Sequence, residues 1–181
     1  MNSVEPIRDK EIIRSIGDYL KDKDPKYYVM FAIGIYSGLR ISDILKLKVR
    51  DVRGKKNIKL REKKTGKEKK FLVHPQLIPI LEEYCKNKES YEYLIPSPNR
   101  INKPISRIMA YKVLHKAGEQ FGVSNLGTHS LRKTFGYHFY QQTHDIALLM
   151  KYFNHTNESI TLRYIGILQD TMDKAIKRLK Y

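Results

Sequence analysis

Apolar residues recur at helical spacing along most of this chain, and the pattern changes to strand alternation between residues 57 and 73. Residues 27–36 are almost wholly apolar, which is typical of a helix buried on most sides. In the changed stretch, apolar and basic residues alternate over 57–62, and the apolar run 71–73 follows a Thr65-Gly66 turn. Further helical spacing covers residues 9–20, 77–84, 106–121, 131–140, 146–153, 159–165 and 170–179. These patterns predict a mainly α fold with a small antiparallel β-sheet (α+β), formed by a basic β-hairpin at 57–73.

The length of the chain, 181 residues, fits one domain, and 41% hydrophobic residues supply a substantial core. No internal repeat and no Pro/Gly/Ser-rich linker divides the sequence. Ser42 is predicted to be the N-cap of a short helix that continues through Leu47. We therefore expect residues 1–181 to form a single domain.

Charge and composition exclude several classes of protein. Lys and Arg number 35 against 19 Asp and Glu, which gives a net charge of +16 and favours a polyanionic partner, nucleic acid first and an anionic membrane surface second. No apolar run reaches the roughly 20 residues that span a bilayer, and the N-terminus lacks a signal-peptide pattern. The single cysteine, Cys85, excludes a disulfide framework and a zinc site of several thiolates. We expect a soluble, cytoplasmic, basic domain.

The hairpin region is unusually basic, with thirteen Lys and Arg against three acidic residues between Lys46 and Lys70. A charged sheet edge that prevents edge-to-edge pairing is the ordinary explanation. The density exceeds what solubility requires, and a twisted basic hairpin can follow a phosphate backbone. Nucleic-acid contact is therefore the favoured interpretation, although it does not separate DNA from RNA. The candidate nucleic-acid contacts are Lys63, Lys67 and Lys69, with Lys133 outside the hairpin.

Three separated segments carry residues suited to chemistry, at 37–43, 128–134 and 154–164. Each has an ordinary explanation when taken alone. A cation such as Arg40 can stabilise a helix C-terminus, and His129 and Arg132 can be neighbours at a helix start. His155 can be a loop residue, and Tyr164 is one of 13 tyrosines, most of which pack in proteins.

Taken together, the segments resemble the catalytic domain of the tyrosine recombinases, the phage integrase family. That signature combines an Arg in an SGLRxSE-like segment, a hairpin Lys, a His-x-x-Arg pair, a His or Trp, and a nucleophilic Tyr. The matching residues occur in this order: Arg40, Lys64, His129, Arg132, His155 and Tyr164. The resemblance extends from about residue 5 to 180, and the intervals of 23 residues from Arg132 to His155 and nine to Tyr164 are usual for the family.

The resemblance implies site-specific DNA recombination (integration, excision or inversion) through a covalent 3′-phosphotyrosine formed by Tyr164. It implies that Arg40 and Arg132 hold the nonbridging phosphate oxygens, where forked, permanently charged donors suit the developing charge. His155 is expected to donate another hydrogen bond there. His129 is expected to orient Tyr164 or accept its proton.

Two further roles follow from the resemblance. Lys64 is expected to protonate the leaving 5′-oxygen because it directly precedes Thr65-Gly66, and Lys63 and Lys67 are its competitors. Asp43 is expected to support the active-site arginines. We predict no metal or other cofactor, since the six histidines form no compact ligand pattern with acidic residues.

The resemblance also bears on partners. Family members usually carry a core-binding domain before the catalytic one, and this sequence begins directly in the catalytic domain, so we expect weak DNA binding by the chain alone. The expected partner is double-stranded DNA, which would place the protein at the nucleoid, with a homotetramer on the DNA. In the C-terminal helix, 168–181, an apolar stripe either packs on its own domain or docks on a neighbouring protomer; its members are Met172, Ala175, Ile176 and Leu179.

Other functions remain open on the sequence alone. A type IB topoisomerase uses similar chemistry, but the spacing fits recombinases better. A non-catalytic DNA-binding regulator with this fold is the alternative outside enzymes, although every signature residue is present. An RNA-binding module lacks support from any aromatic-rich strand.

Overall fold

The chain folds into ten helices and one two-stranded sheet over the residues that the structure, a computed structural model, describes, which are 4–61 and 68–179 without the side chain of Lys69. This confirms the predicted fold class. The elements in chain order are α1 Lys10–Lys23, α2 Pro25–Ser37, α3 Ile41–Ile44, α4 Val49–Val52, β1 Asn57–Arg61, β2 Glu68–Leu72, α5 Leu77–Cys85, α6 Arg107–Gln120, α7 Thr128–Thr143, α8 Ile146–Phe153, α9 Glu158–Tyr164 and α10 Ile167–Lys177. None of the helices in the described part of the chain is both long and apolar enough to cross a bilayer.

Short polar side chains fix where many of the helices begin, because each accepts a backbone N–H that has no partner within its helix. Asp9, Ser106, Asp145 and Asn157 act in this way at the starts of α1, α6, α8 and α9. The predicted N-cap Ser42 is wrong, since α3 begins at Ile41 with Arg40 in the cap position and without a side-chain cap bond. The helix stops at Ile44, and the short α4 was not predicted.

The sheet is an antiparallel pair of β1 and β2, with Asn57 opposite Leu72 and Arg61 opposite Glu68. Ile58 is fully buried, whereas its neighbours Asn57 and Lys59 are exposed, so one face of β1 packs on the core. The predicted Thr65-Gly66 turn lies outside the described residues.

The main core is built around α2, which packs against α1, α5 and α7. Gly34 lets α2 and α7 approach closely, because a Cβ added there would lie 2.5 Å from a methyl carbon of Leu131. This contact places the end of α2 beside the first turns of α7, so two of the three candidate segments meet.

A second apolar cluster joins α7 to the C-terminal helices through Leu149, Phe153, Ile165 and Ile167. Gly136 on α7 makes room for it, since a Cβ there would lie 2.7 Å from Ile165 and 2.8 Å from Phe153. The third candidate segment is thereby packed against α7 as well.

Candidate active site

The turn after α2 presents Arg40. The Ser37 hydroxyl donates to the Ile33 carbonyl over 2.6 Å and accepts the Leu39 N–H over 3.3 Å. Gly38 ends the helix in the left-handed region, at φ 59°, where a side chain is disfavoured. A Cβ at Gly38 would also lie 2.5 Å from the ring of Phe135. The chain therefore reverses tightly, and Arg40 stands exposed at the start of α3.

Arg132 lies buried on α7, with 6% of its surface exposed. Its guanidinium donates to the carbonyl oxygen of Gly38 over 2.6 Å and to that of Phe153 over 3.2 Å. It also lies 4.1 Å from the centre of the Phe153 ring. Burial lowers the pKa of Arg132, and the nearby charge of Arg40 lowers it further, yet a guanidinium remains charged in proteins. Arg132 therefore joins all three segments and carries a fixed positive charge.

Tyr164 ends α9 and is half-buried against Phe153 and His155. The Arg132 guanidinium lies near enough to the Tyr164 hydroxyl to act on its ionisation. Burial raises the pKa of Tyr164 above its ordinary value, and the charges of Arg132 and Arg40 oppose this rise without cancelling it. The two arginines thus favour the phenolate, which is the form that attacks a phosphate.

His155 lies between the C-terminus of α8 and the start of α9, edge to face with the Tyr164 ring at 5.4 Å between centroids. Its Nδ1 is 3.1 Å from the hydroxyl of Thr161, a buried residue of α9. Burial lowers the pKa of His155, and the charges of Arg132 and Arg40 act in the same direction. The Thr161 contact fixes the ring, and Nε2 on its opposite edge can donate to a phosphate oxygen when it carries a proton.

His129 is in the first turn of α7, where the residue as a whole is exposed although neighbouring atoms partly desolvate its ring. This desolvation lowers the pKa of His129, and so do the nearby charges of Arg107, Lys133, Arg132 and Arg40. The neutral ring is therefore favoured near neutral pH, and a neutral imidazole can accept a proton.

An open cavity of about 740 Å³ lies beside Arg40 and Arg132, whereas Tyr164, His129 and His155 are not among the residues that line it. Arg40, Asp43 and Arg132 line it together, and the Asp43 carboxylate raises the pKa of Arg132. Three further cations, Lys46, Arg61 and Arg107, lie in its wall. A cavity with five cations and one carboxylate suits a phosphodiester backbone.

Lys133 occupies a different environment from the one that the sequence predicted. It is 8% exposed, and its ammonium donates to the carbonyl oxygen of Val4 over 2.7 Å. The ammonium also lies 5.3 Å from the centre of the Tyr164 ring. This burial does not favour the predicted DNA contact, because an amine enclosed by its own chain is not presented to a phosphate.

The candidate lysines of the hairpin are described only in part by the structure. Lys63, Lys64 and Lys67 lie outside the described residues, and Lys69 is described only as a backbone position in β2. Their roles remain predictions. No group of three or more His, Cys, Asp or Glu side chains suited to a metal occurs in the described ranges.

Comparison with known proteins agrees with this geometry. A model of the phage integrase family matches residues 8–170. The chain belongs to the phage integrase family. The probable integrase/recombinase YoeC of Bacillus subtilis (strain 168) is 49% identical over 177 residues, which cover 98% of this chain and 97% of YoeC. Tyrosine recombinase XerA of Pyrococcus horikoshii is 29% identical over 175 residues, 94% of this chain but 59% of XerA.

Solved structures of integrase-family proteins share the fold. The crystal structure of XerA recombinase superposes with a TM-score of 0.73 at 18% identity, covering 98% of this chain and 67% of that one. XerH bound to its palindromic difH substrate, in a post-cleavage complex, gives 0.75 at 16% identity over 98% and 54% of the two chains. The resemblance to tyrosine recombinases predicted from the motifs is therefore confirmed.

Sequence reasoning missed three residues of this integrase-family site. Arg107 joins the cavity wall from the start of α6, and no motif marked it. Tyr152 donates its hydroxyl to the Ser37 carbonyl over 2.6 Å, and burial raises the pKa of Tyr152 to about 12, which keeps it a neutral donor. Thr161 is one helical turn before Tyr164, and that spacing could have indicated a shared face.

Proposed function

We propose that this chain carries out site-specific DNA recombination by cleaving and rejoining DNA strands through a covalent 3′-phosphotyrosine at Tyr164. The observation that carries the proposal is the packing of Tyr164 against His155 within reach of the charges of Arg132 and Arg40, both of which also line the open cavity. The similarity to a protein named as a probable integrase/recombinase over nearly its whole length supports the same class of reaction.

In the first step, the Tyr164 oxygen attacks the phosphorus and forms a new P–O bond, while the bond from phosphorus to the 5′-oxygen breaks. The tyrosine loses its proton, for which His129 is the proposed acceptor, and the 5′-oxygen gains one, for which Lys64 is the proposed donor. The 5′-hydroxyl of another strand then attacks the phosphotyrosine. A new phosphodiester bond forms, and the bond from phosphorus to the Tyr164 oxygen breaks. The phosphodiester energy is kept in the protein–DNA bond, so the exchange needs no external energy source.

Negative charge grows on the nonbridging oxygens as the phosphorus becomes pentacoordinate. Arg132 is held in place by two carbonyl oxygens before DNA arrives, so little reorganisation is needed when the charge develops. Arg40 adds a second forked donor from the exposed turn, and His155 adds a bond through Nε2. Asp43 stands beside both arginines in the cavity wall and supports their placement.

A suicide substrate tests the proposal. Nicked DNA that carries a candidate site loses a short fragment after cleavage, which traps the covalent adduct for a denaturing gel. We expect an adduct with the wild-type chain and none with Tyr164→Phe. Tyr91→Phe, at an exposed tyrosine outside the site, is the matched control and should form the adduct. DNA binding without any wild-type adduct would contradict the proposal.

The identity of the general acid can be tested separately, because a 5′-thiolate leaves without protonation. Lys64→Ala should lose cleavage of ordinary DNA and regain it on DNA with a bridging 5′-sulfur. Lys63→Ala and Lys67→Ala are the controls, and rescue of one of these instead would reassign the role.

We propose double-stranded DNA as the partner, held at the nucleoid, with Lys63, Lys67 and Lys69 along the phosphate backbone. Binding at each phosphate releases counterions, so replacing all three by Gln should flatten the slope of log K against log salt by about 2.7. An unchanged slope would remove the hairpin from the DNA contact.

The C-terminal helix α10 and the residues directly after it carry exposed apolar side chains. Met172, Ile176 and Leu179 are 56%, 61% and 60% exposed, so these residues of the predicted stripe are not covered by the chain's own described residues. We propose that they dock on a neighbouring protomer in a tetramer. Ile176→Gln should abolish the tetramer on a full site in light scattering, and Lys174→Gln on the same helix should not. A wild-type monomer on that DNA would overturn the idea.

A further inference from the structure

The burial of Lys133 calls for a physical reason, since lysine is rarely buried without a compensating partner. Its ammonium is bonded to the Val4 carbonyl oxygen at 2.7 Å and faces the Tyr164 ring at 5.3 Å from the centroid. It does not line the cavity that Arg40 and Arg132 share. The cation thus lies between the Val4 carbonyl oxygen and the ring of the proposed nucleophile.

The N-terminal segment, residues 4–8, holds this cation in place. The Ile7 N–H donates to the Thr134 hydroxyl over 2.8 Å, and the His138 Nε2–H donates to the Ile7 carbonyl oxygen over 3.0 Å. Arg8 forms an ion pair with Asp170 at 2.9 Å. These bonds tie the segment to α7 and α10, so the Val4 carbonyl is a fixed acceptor.

We propose that Lys133 is a positioning residue for the Tyr164 reaction: its ammonium, fixed by residues 4–8, stabilises the phenolate form of Tyr164. A cation near an aromatic face is attracted to the ring, and the attraction is stronger when the ring carries a negative charge. This inference rests on the proposed function, because it assigns a task within the same cleavage step.

The charges around Tyr164 explain why Lys133, as a third cation beside Arg132 and Arg40, affects the stability of the phenolate. Tyr164 is faced by Arg132, Arg40 and the ring of His155. Once a phosphate binds the two arginines, its negative charge offsets much of their effect on the phenolate. Lys133 is bonded to the protein backbone instead, so its effect on Tyr164 persists when DNA is bound.

The groups around Lys133 act on its pKa in opposite directions. Burial lowers the pKa of Lys133 and Arg8 lowers it further, whereas Glu5 raises it. His129 lies on the same helix, and its own pKa is lowered in part by the Lys133 charge. The Tyr164 ring is a further titratable neighbour of the Lys133 ammonium.

Two variants separate the charge from the hydrogen bond. Lys133→Gln keeps an N–H donor for the Val4 carbonyl but removes the charge, and Lys133→Met removes both. We expect both variants to move the pH profile of adduct formation upward by about one pH unit, which corresponds to about a tenfold slower reaction at a fixed pH below the transition. Lys133→Arg, which keeps the cation, should stay near the wild-type profile.

A spectroscopic titration gives a readout independent of DNA cleavage. The ultraviolet difference between each protein and its Tyr164→Phe counterpart reports the tyrosinate of Tyr164 as the pH rises. The transition should lie higher in the Gln and Met variants than in wild type. If the Gln variant titrates and reacts like wild type, the hydrogen bond alone matters and the inference is overturned. Lack of a wild-type adduct would remove the proposed function, while the titration would still decide whether Lys133 stabilises the phenolate.

Discussion

The guanidinium of Arg132 and the carbonyl oxygen of Gly38 are joined by a 2.6 Å hydrogen bond between residues 94 positions apart in the chain. A second bond, to the Phe153 carbonyl, brings α8 to the same group. Carbonyl oxygens hold the guanidinium without neutralising its charge, so the charge remains available for a phosphate. One side chain therefore serves both the packing of three segments and the proposed chemistry.

Replacing Arg132 by Lys should damage both properties. The ammonium cannot reproduce the forked geometry, so one carbonyl loses its partner at a cost of about 1–3 kcal/mol in the free energy of unfolding. Loss of an aligned donor to the developing phosphate charge should slow adduct formation by about 100-fold or more. Urea unfolding and the suicide substrate measure the two effects. Arg163→Lys, at an exposed position of α9, should change neither, and an unaltered unfolding midpoint for Arg132→Lys would contradict the structural role.

The turn that presents Arg40 can be tested by comparing an Ala substitution at Gly38, within the turn, with one at Gly54, outside it. Both have positive φ, at 59° and 64°, so Ala costs about 1 kcal/mol of backbone strain at either. At Gly38 the new Cβ would also lie 2.5 Å from the Phe135 ring, whereas nothing lies within 4 Å at Gly54. Gly38→Ala should therefore lose about 1–3 kcal/mol more than Gly54→Ala in urea unfolding. Equal losses would show that the Phe135 contact adjusts without cost.

Much of the fold followed from periodicity, because a helix that packs on one side repeats its apolar residues regularly. The bounds of α8 agree with the predicted 146–153, where the apolar run is bordered by Asp145 and the left-handed Asn154. The short helices α3 and α4 were missed or misplaced because four residues are too few to show a period. The start of α4 also depends on a distant part of the chain, since the Val49 N–H donates to the Glu92 carbonyl oxygen over 3.0 Å.

The residue types of the site and their order along the chain were predictable from the sequence, but their positions in space were not. The environment of Lys133 depends on the Val4 carbonyl oxygen, a contact between residues 129 positions apart, whereas a DNA contact was predicted for Lys133 from the sequence. Arg107 enters the cavity wall only because α6 packs near α3 and α7. Such contacts produce no pattern in the neighbouring sequence, because they depend on how the helices pack.

Thr161 is expected to control the orientation of His155. Thr161→Val keeps the shape and removes the hydroxyl that lies 3.1 Å from Nδ1, so the ring loses the contact that fixes Nε2. Adduct formation should fall about tenfold or more, because small displacements of a reacting group are costly. Thr161→Ser restores the hydroxyl and should recover most of the rate. If Ser is as slow as Val, the methyl group and its packing matter instead of the bond.

Stability should decrease as the pH falls below neutral, because the rings of three histidines are partly desolvated in the folded chain. Burial lowers the pKa of His138, and Lys10 lowers it further, although the bond to the Ile7 carbonyl acts in the opposite direction. The pKa values of His129 and His155 are lowered as well, again chiefly by burial. In the unfolded chain these rings titrate near about 6.5, so below that pH the unfolded state binds more protons than the folded one.

The histidine contribution is therefore fully present above the unfolded pKa and is lost as the pH falls through the lowered folded values. Urea unfolding midpoints should be lower at about pH 5.5 than at about pH 7.5. His138→Gln retains an N–H for the Ile7 carbonyl but cannot titrate, so the drop between the two pH values should shrink. His144→Asn is the control, since His144 is exposed in the left-handed conformation that Asn tolerates, and its drop should equal that of the wild type. An identical drop in His138→Gln would mean that the link between α7 and the N-terminal segment does not depend on the protonation of this ring.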